Sequence, residues 1–164
     1  IIFLSFTMNN LNSIYLSLGS NIGDKAYNLK TALNKLSQIL EIKKISSIYE
    51  TEPLLHQDQD NFLNIITEVS YSQKAENLLT NIKDIEKKMG REATFRFGPR
   101  IIDIDIIFFN CQEINEDNLT IPHKEWKNRL FVIAPLYEIL DKKIDQSKYN
   151  ISDQKVTRLS SIKI

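Results

Sequence analysis

Gly98-Pro99-Arg100-Ile101-Ile102-Asp103-Ile104-Asp105-Ile106-Ile107-Phe108-Phe109 decides how this chain folds. From Ile101 onward it is β-branched and aromatic, holds no breaker and follows a Gly-Pro turn, the pattern of a buried strand. Two carboxylates interrupt it. Side chains alternate along a strand, so Asp103 and Asp105 point the same way with Cα atoms ~7 Å apart. Two like charges buried side by side are costly unless a cation lies between them. Hard oxygen ligands with no cluster of Cys or His nearby favour magnesium over zinc.

The residues just upstream sharpen this. Of five arginines, three (Arg91, Arg96, Arg100) fall within ten residues, whereas the sixteen lysines are scattered. Guanidinium forks bind phosphate oxygens bidentately. An arginine loop beside paired carboxylates points to phosphoryl chemistry on a magnesium nucleotide. The competing reading is an acidic strand edge beside a solvated basic loop; the three arginines weigh against it.

Further upstream, Ala75, Leu78, Leu79, Ile82, Ile85 and Met89 form a helical stripe that Gly90 ends. Before it, residues 62–71 read as a strand burying Leu63, Ile65, Val69 and Tyr71, with Phe62 and Asn64 on its other face. An aromatic ring beside a carboxamide suits a flat heteroaromatic with a hydrogen-bonding edge, although such a pair is more often plain structure. Residues 51–61 form a long polar loop, and a loop of that length in a compact domain is more often functional than not. Residues 42–49 read as one strand. Residues 24–40 read as a helix with Ala26, Leu29, Leu33, Leu36 and Leu40 on one stripe and Asp24 as its cap. Ile14-Tyr15-Leu16-Ser17-Leu18 is the first strand, and Gly19-Ser20-Asn21-Ile22-Gly23 reads as a structural turn, because its spacing matches no phosphate-loop fingerprint.

Strand-helix-strand-strand-helix-strand gives an α+β fold, a ferredoxin-like βαββαβ sandwich: an antiparallel sheet with helices on one face, the other face free for substrates. Downstream, residues 113–121 add a hairpin around Glu116-Asp117-Asn118, and residues 131–140 add a short helix with Pro135 near its first turn. Between them, residues 122–129 read by composition as a solvated basic segment. From Asp141 onward the chain is charged, short-stranded and without legible chemistry. Residues 14–164 are read as a single domain and residues 1–13 as an N-terminal extension, in which Met8 is a candidate start and no signal peptide is evident.

Net charge is zero, hydrophobic content 42% and charged content 26%, which argues against a general nucleic-acid or membrane-surface binder. No apolar run reaches membrane-spanning length. The single cysteine, Cys111, forms no intramolecular disulfide and fits a reducing cytosol, so a cytoplasmic protein is expected.

Taken together, several separated motifs resemble the hydroxymethyl-dihydropterin pyrophosphokinase family of folate biosynthesis. They are Leu18-Gly19-Ser20-Asn21-Ile22-Gly23-Asp24, Tyr49-Glu50-Thr51-Glu52-Pro53, Asp58-Gln59 with Phe62-Leu63-Asn64, the Gly98 to Asp105 run, Ile121-Pro122-His123 and Asn128-Arg129, in order from about Ile14 to Leu140. The resemblance implies transfer of pyrophosphate from ATP to a pterin hydroxymethyl group, with AMP left behind. It implies that Asp103 and Asp105 hold two magnesium ions and that Arg91 and Arg100, with these acids, are catalytic. Arg96, Arg100, Ile106, Thr120, His123, Lys124 and Arg129 would hold ATP, which reverses the compositional reading of residues 122–129. Thr51, Leu54, Phe62, Asn64, Phe97, Asp103 and Phe131 would hold the pterin. Some members carry tryptophan at the place of Phe97 and a second arginine where this chain has Ala93 and Thr94, and their loop is about one residue longer. Leu55-His56 replaces a glycine-containing turn.

The implied partners are the two small-molecule substrates, with fusion to or association with another folate-pathway enzyme left open. Two other classes compete. A ligand-sensing regulatory module on the same sheet needs no buried acid pair with three arginines. An RNA-recognition domain needs aromatic platforms in basic strands and an RNP-like motif, which this sequence lacks.

Overall fold

The aspartate strand lies at the edge of the sheet. In the computed structural model, which describes residues 11–54, 58–93, 95 and 98–163, β5 (Asp103–Phe109) pairs antiparallel with β1 (Ile14–Ser20). β1 in turn pairs with β4 (Phe62–Ser70), β4 with β3 (Ser47–Thr51), and β3 with β8 (Val156–Ser161), all antiparallel. β2 (Glu41–Ile45) lies beside the far end of β4. A separate hairpin joins β6 (Ile114–Glu116) to β7 (Leu119–Ile121).

Residues 42–49 are therefore two strands, not one. Ser46 breaks the run: its N–H donates to Ile66 O, and its hydroxyl, rather than a backbone carbonyl, accepts the Ile66 N–H, both at 2.9 Å. A side-chain acceptor inserted into a ladder lets one residue bulge without leaving a buried donor unpaired.

α1 (Lys25–Leu36) begins under Asp24, whose carboxylate accepts the Tyr27 N–H at 3.0 Å. It stops earlier than the leucine stripe suggests, because residues 38–40 tighten into turns whose amides return to Lys35 and Leu36 and still bury Leu40. α2 (Ala75–Lys88) ends in a Schellman motif: Gly90, at φ +84, donates to Lys87 O, and Arg91 donates to Glu86 O. The backbone of Arg91 is thereby part of the helix terminus.

One face of the sheet, with Leu16, Leu18, Ile65, Val69, Ile104 and Ile106, is closed by the leucine and isoleucine stripes of α1 and α2. The opposite face is not free along its whole length, contrary to the expectation from sequence. α3 (Leu130–Ile139) packs Val132, Ile133 and Leu136 onto Tyr15, Ile66, Ile107 and Phe108, and Trp126 from the preceding 3-10 turn joins them. These side chains are apolar on both sides of their strands, so burial on the second face is the favourable outcome. One end of that face is polar and carries Ser17, Gly19, Phe62, Asn64, Asp103 and Asp105. Pro135 sits at the sixth position of α3, inside the helix rather than near its start, where its missing N–H leaves the Phe131 carbonyl without an i→i+4 helix bond. β8 extends the sheet at its far edge; five of its six residues are exposed. Among the described residues, no helix is long and apolar enough to cross a membrane.

Candidate active site

The site is laid out as a row across four strands. Asp103 on β5 pairs with Gly19 on β1, Gly19 with Asn64 on β4, and Asn64 with Tyr49 on β3. Strands lie about 4.8 Å apart, so Asp103 and Asn64 are separated by roughly 10 Å on one face. Gly19 keeps the row flat. A Cβ built there would come within 2.9 Å of Asn64 Oδ1 and 3.8 Å of Phe62 Cδ1, so the carboxamide and the aromatic ring both lie over this glycine. The Asn64 amide donates to Thr51 Oγ1 at 3.0 Å and approaches Tyr49 O at 3.5 Å, which fixes its plane. Tyr49 is held in turn by Glu138 of α3, which accepts its phenol at 2.6 Å and the Ser47 N–H and hydroxyl at 2.8 and 2.9 Å.

The two carboxylates face different company. Arg91 Nη1 lies 3.0 Å from Asp103 Oδ1, and Arg100 Nη1 lies 2.5 Å from Asp103 Oδ2. Among the described residues, the ion-pair partners of Asp105 are looser, Arg129 Nη1 at 3.4 Å and His123 Nε2 at 3.9 Å, both from Oδ2. Lost hydration and the Asp103 charge push the Asp105 carboxyl up to about 6, although Arg129 pulls it back. His123 is pushed down to about 4, chiefly by burial and then by the Arg129 cation. Its Nδ1 accepts the Glu125 N–H at 3.1 Å, so Nε2 carries the hydrogen of a neutral imidazole facing Asp105. The His123 backbone is tied to the sheet through Ile107 O at 3.0 Å.

Sequence reasoning missed Glu86, which is only 2% exposed. Its Oε1 accepts the Ile104 N–H at the open edge of β5 at 2.8 Å and pairs with Arg91 Nη1 at 2.5 Å, while Oε2 takes Lys83 Nζ at 2.9 Å. The signal was legible: Glu86 is four residues after Ile82, on the inward side of α2, and five before Arg91. Beside it a cleft of about 310 Å³ is lined by Lys83, Glu86, Lys87, Arg91, Glu92 and Ala93, with three cations around one buried acid.

The expected residues do not all converge. Arg91, Arg100, Asp103, Asp105, His123 and Arg129 do, and Thr51, Phe62 and Asn64 lie along the same face. Ile106 points the other way, into the core under α1 and α2, so only its main chain is available to a ligand. Thr120 is half-buried on β7, Lys124 and Leu54 are exposed, and half-buried Phe131 lies beneath the Arg129 guanidinium at 5.7 Å. Arg96 and Phe97 lie outside the described residues. Among those described, no group of three or more His, Cys, Asp or Glu side chains could hold a metal. Two carboxylates, one of them weakly paired, nevertheless fit magnesium, which is ordinarily held by one or two carboxylates and completed by substrate phosphates and water.

A family model described as 7,8-dihydro-6-hydroxymethylpterin-pyrophosphokinase (HPPK) matches residues 15–141. The chain is 40% identical over 154 residues to a 2-amino-4-hydroxy-6-hydroxymethyldihydropteridine pyrophosphokinase of Bacillus subtilis, covering 93% of this chain and 91% of that protein. It is 42% identical over 152 residues to the bifunctional protein FolKE of Lactococcus lactis, covering 92% of this chain but 43% of that one. A solved Plasmodium falciparum HPPK-DHPS structure superposes with a TM-score of 0.62 at 20% identity, over 82% of this chain and 41% of that one, a likeness of fold. The chain thus spans about two fifths of these two longer relatives and nine tenths of the Bacillus subtilis one.

Proposed function

Because the chain belongs to the 7,8-dihydro-6-hydroxymethylpterin-pyrophosphokinase family, we propose that it moves the β,γ-pyrophosphoryl group of ATP onto the hydroxymethyl oxygen of 6-hydroxymethyl-7,8-dihydropterin. The products are the pterin diphosphate and AMP, a step of folate biosynthesis. Residues 14–164 serve as one catalytic domain, with residues 1–13 an extension, and the fold is read as a ferredoxin-like sandwich extended by the hairpin, α3 and β8.

The observation that carries this reading is the row from Asp103 to Asn64, with cations gathered at one end and a ring and a carboxamide at the other. The pterin hydroxyl attacks the β-phosphorus. The new bond is O–Pβ, and the bond that breaks joins Pβ to the oxygen bridging to the α-phosphate, which leaves with AMP. The hydroxyl proton is lost; no described side chain stands out as its base, so positioning and electrostatics do most of the catalysis.

Arg91 and Arg100 hold Asp103 in the ligand-free arrangement and would exchange that carboxylate for phosphate oxygens when the nucleotide enters, leaving Asp103 and Asp105 free to hold two magnesium ions. Magnesium supplies charge neutralisation along the triphosphate and polarises the phosphorus. His123, neutral with Nε2–H outward, donates to a phosphate oxygen without adding charge. Arg96, Thr120, Lys124, Arg129 and the Ile106 main chain complete the nucleotide site. Asn64 and Thr51 read the polar edge of the pterin, while Phe62, Phe97, Phe131 and Leu54 enclose its faces. Incubation with ATP, magnesium and the reduced hydroxymethylpterin should release AMP one-for-one with pterin product; accumulation of ADP would overturn the assignment.

A further inference from the structure

Asn21 belongs to a turn that sequence reasoning took as purely structural. It is 2% exposed, and its side chain works in two directions. Nδ2 donates to Gln59 Oε1 at 2.9 Å and to Asp60 O at 3.1 Å, at the end of the connection between β3 and β4. Oδ1 accepts the Arg100 N–H at 2.8 Å, and the Asn21 backbone N–H donates to Arg100 O at 3.1 Å. Both peptide groups of the arginine that pairs with Asp103 are therefore fixed by one residue. The post itself is rigid: Asn28 (8% exposed, from α1) donates to Ser20 Oγ at 3.1 Å and to Ile22 O at 2.8 Å on either side of it.

Only a carboxamide meets these demands. An aspartate could accept from Arg100 but would set a buried charge against the Asp60 carbonyl, and an alanine would serve neither side. We propose that Asn21 is a positioning residue that couples the pterin side of the site to the phosphate side. Through it, ordering of residues 58–61 is felt at Arg100, and nucleotide held by Arg100 favours the pterin-competent position of residues 58–61. This rests on the pyrophosphokinase reading above. Coupling through one bidentate side chain requires that both segments have two arrangements, and it acts equally in either direction. Lys25 supports the same segment from one side only, donating to Asn61 O at 2.8 Å with Asp60 Oδ2 at 3.7 Å, and does not touch Arg100.

The test uses amide hydrogen exchange and binding on the intact chain with Asn21→Ala, Asn21→Asp and Lys25→Met. In ligand-free protein, Asn21→Ala should speed exchange at the Arg100 amide and across residues 58–61. Asn21→Asp should release residues 58–61 while the Arg100 amide stays protected, and Lys25→Met should loosen residues 60 and 61 and leave the Arg100 amide as it is. Binding of 6-hydroxymethylpterin is then titrated with and without the magnesium complex of α,β-methylene-ATP. Wild type and Lys25→Met should show tightening by about fivefold or more; both Asn21 variants should lose it. Wild-type coupling in either Asn21 variant, no coupling in wild type, or an unchanged Arg100 amide in Asn21→Ala would overturn the proposal. A wild-type chain that binds neither ligand would refute the pyrophosphokinase reading and the proposal with it, and the ligand-free exchange data distinguish that failure from failure of the clasp.

Discussion

Gly19→Ala separates the two halves of the site. The backbone at Gly19 is not in the left-handed region, so alanine meets no dihedral strain there; what it meets is Asn64 Oδ1 at 2.9 Å. An ordinary C···O contact is about 3.3–3.6 Å, so the carboxamide must retreat by roughly half an ångström. Its amide is committed to Thr51 Oγ1 at 3.0 Å and, more weakly, to Tyr49 O at 3.5 Å. Moving it forfeits about one hydrogen bond, roughly 0.5–1.5 kcal/mol. The same substitution removes unfolded-chain freedom worth about 0.4–1 kcal/mol in the opposite sense. Stability should therefore change little, with Tm within about 4 °C of wild type. The pterin, by contrast, loses the aligned edge of Asn64, and its affinity should fall about three- to tenfold. Nucleotide affinity should stay within about twofold, because Asp103 and the arginines are untouched. Calorimetric titration of 6-hydroxymethylpterin and of the magnesium nucleotide, beside a thermal melt, measures all three quantities. Unaltered pterin binding, or an equal loss for both ligands, would refute the argument.

Three further outcomes follow from the charges and loops. Asp103→Asn and Asp105→Asn should each cut turnover by about a hundredfold or more, and near wild-type rates in either variant would sink the metal assignment. Because Asp105 is raised from 3.8 to about 6, its burial as a carboxylate costs stability that the ligand-free protein keeps below pH 4 and loses as pH rises through 6. Asp105→Asn should therefore raise Tm more at pH 7.5 than at pH 4, and kcat/KM for the magnesium nucleotide, which reports the free enzyme, should fall as the pH drops below 6, with His123 still neutral; a Tm gain independent of pH would contradict this. Residues 51–61 and 91–99 should exchange amide hydrogens more slowly when both substrates are bound, since water must be excluded before transfer. Equal protection in free and ternary states would count against loop closure.

The elements that were legible share a cause: each buries apolar side chains in a regular pattern. The stripes of α1 and α2 and the alternation of β5 are hydrophobic patterns with a fixed period, and Asp103 and Asp105 were conspicuous because they break one. What escaped were features set by partners distant in sequence. Ser46 divides a strand through a hydroxyl that bonds Ile66. β8 is exposed on five of six residues, so it carries no apolar pattern and owes its position to pairing with β3. The face that α3 covers could not be read from α3, because a helix apolar on nearly every side names no single neighbour. The sequence places Glu86 on the inward side of α2, but its partners, the Ile104 N–H and Arg91, come from β5 and from beyond the helix end.

The Schellman end of α2 has a consequence for how this family can vary. The span from Arg91 to Arg100 is anchored at both ends: the Arg91 amide belongs to the helix terminus, and the peptide groups of Arg100 are both bonded to Asn21. Adding one residue to such a span costs roughly 0.1 kcal/mol of closure entropy. The number of residues between the two anchors can therefore change at little cost while both guanidinium groups stay where Asp103 meets them.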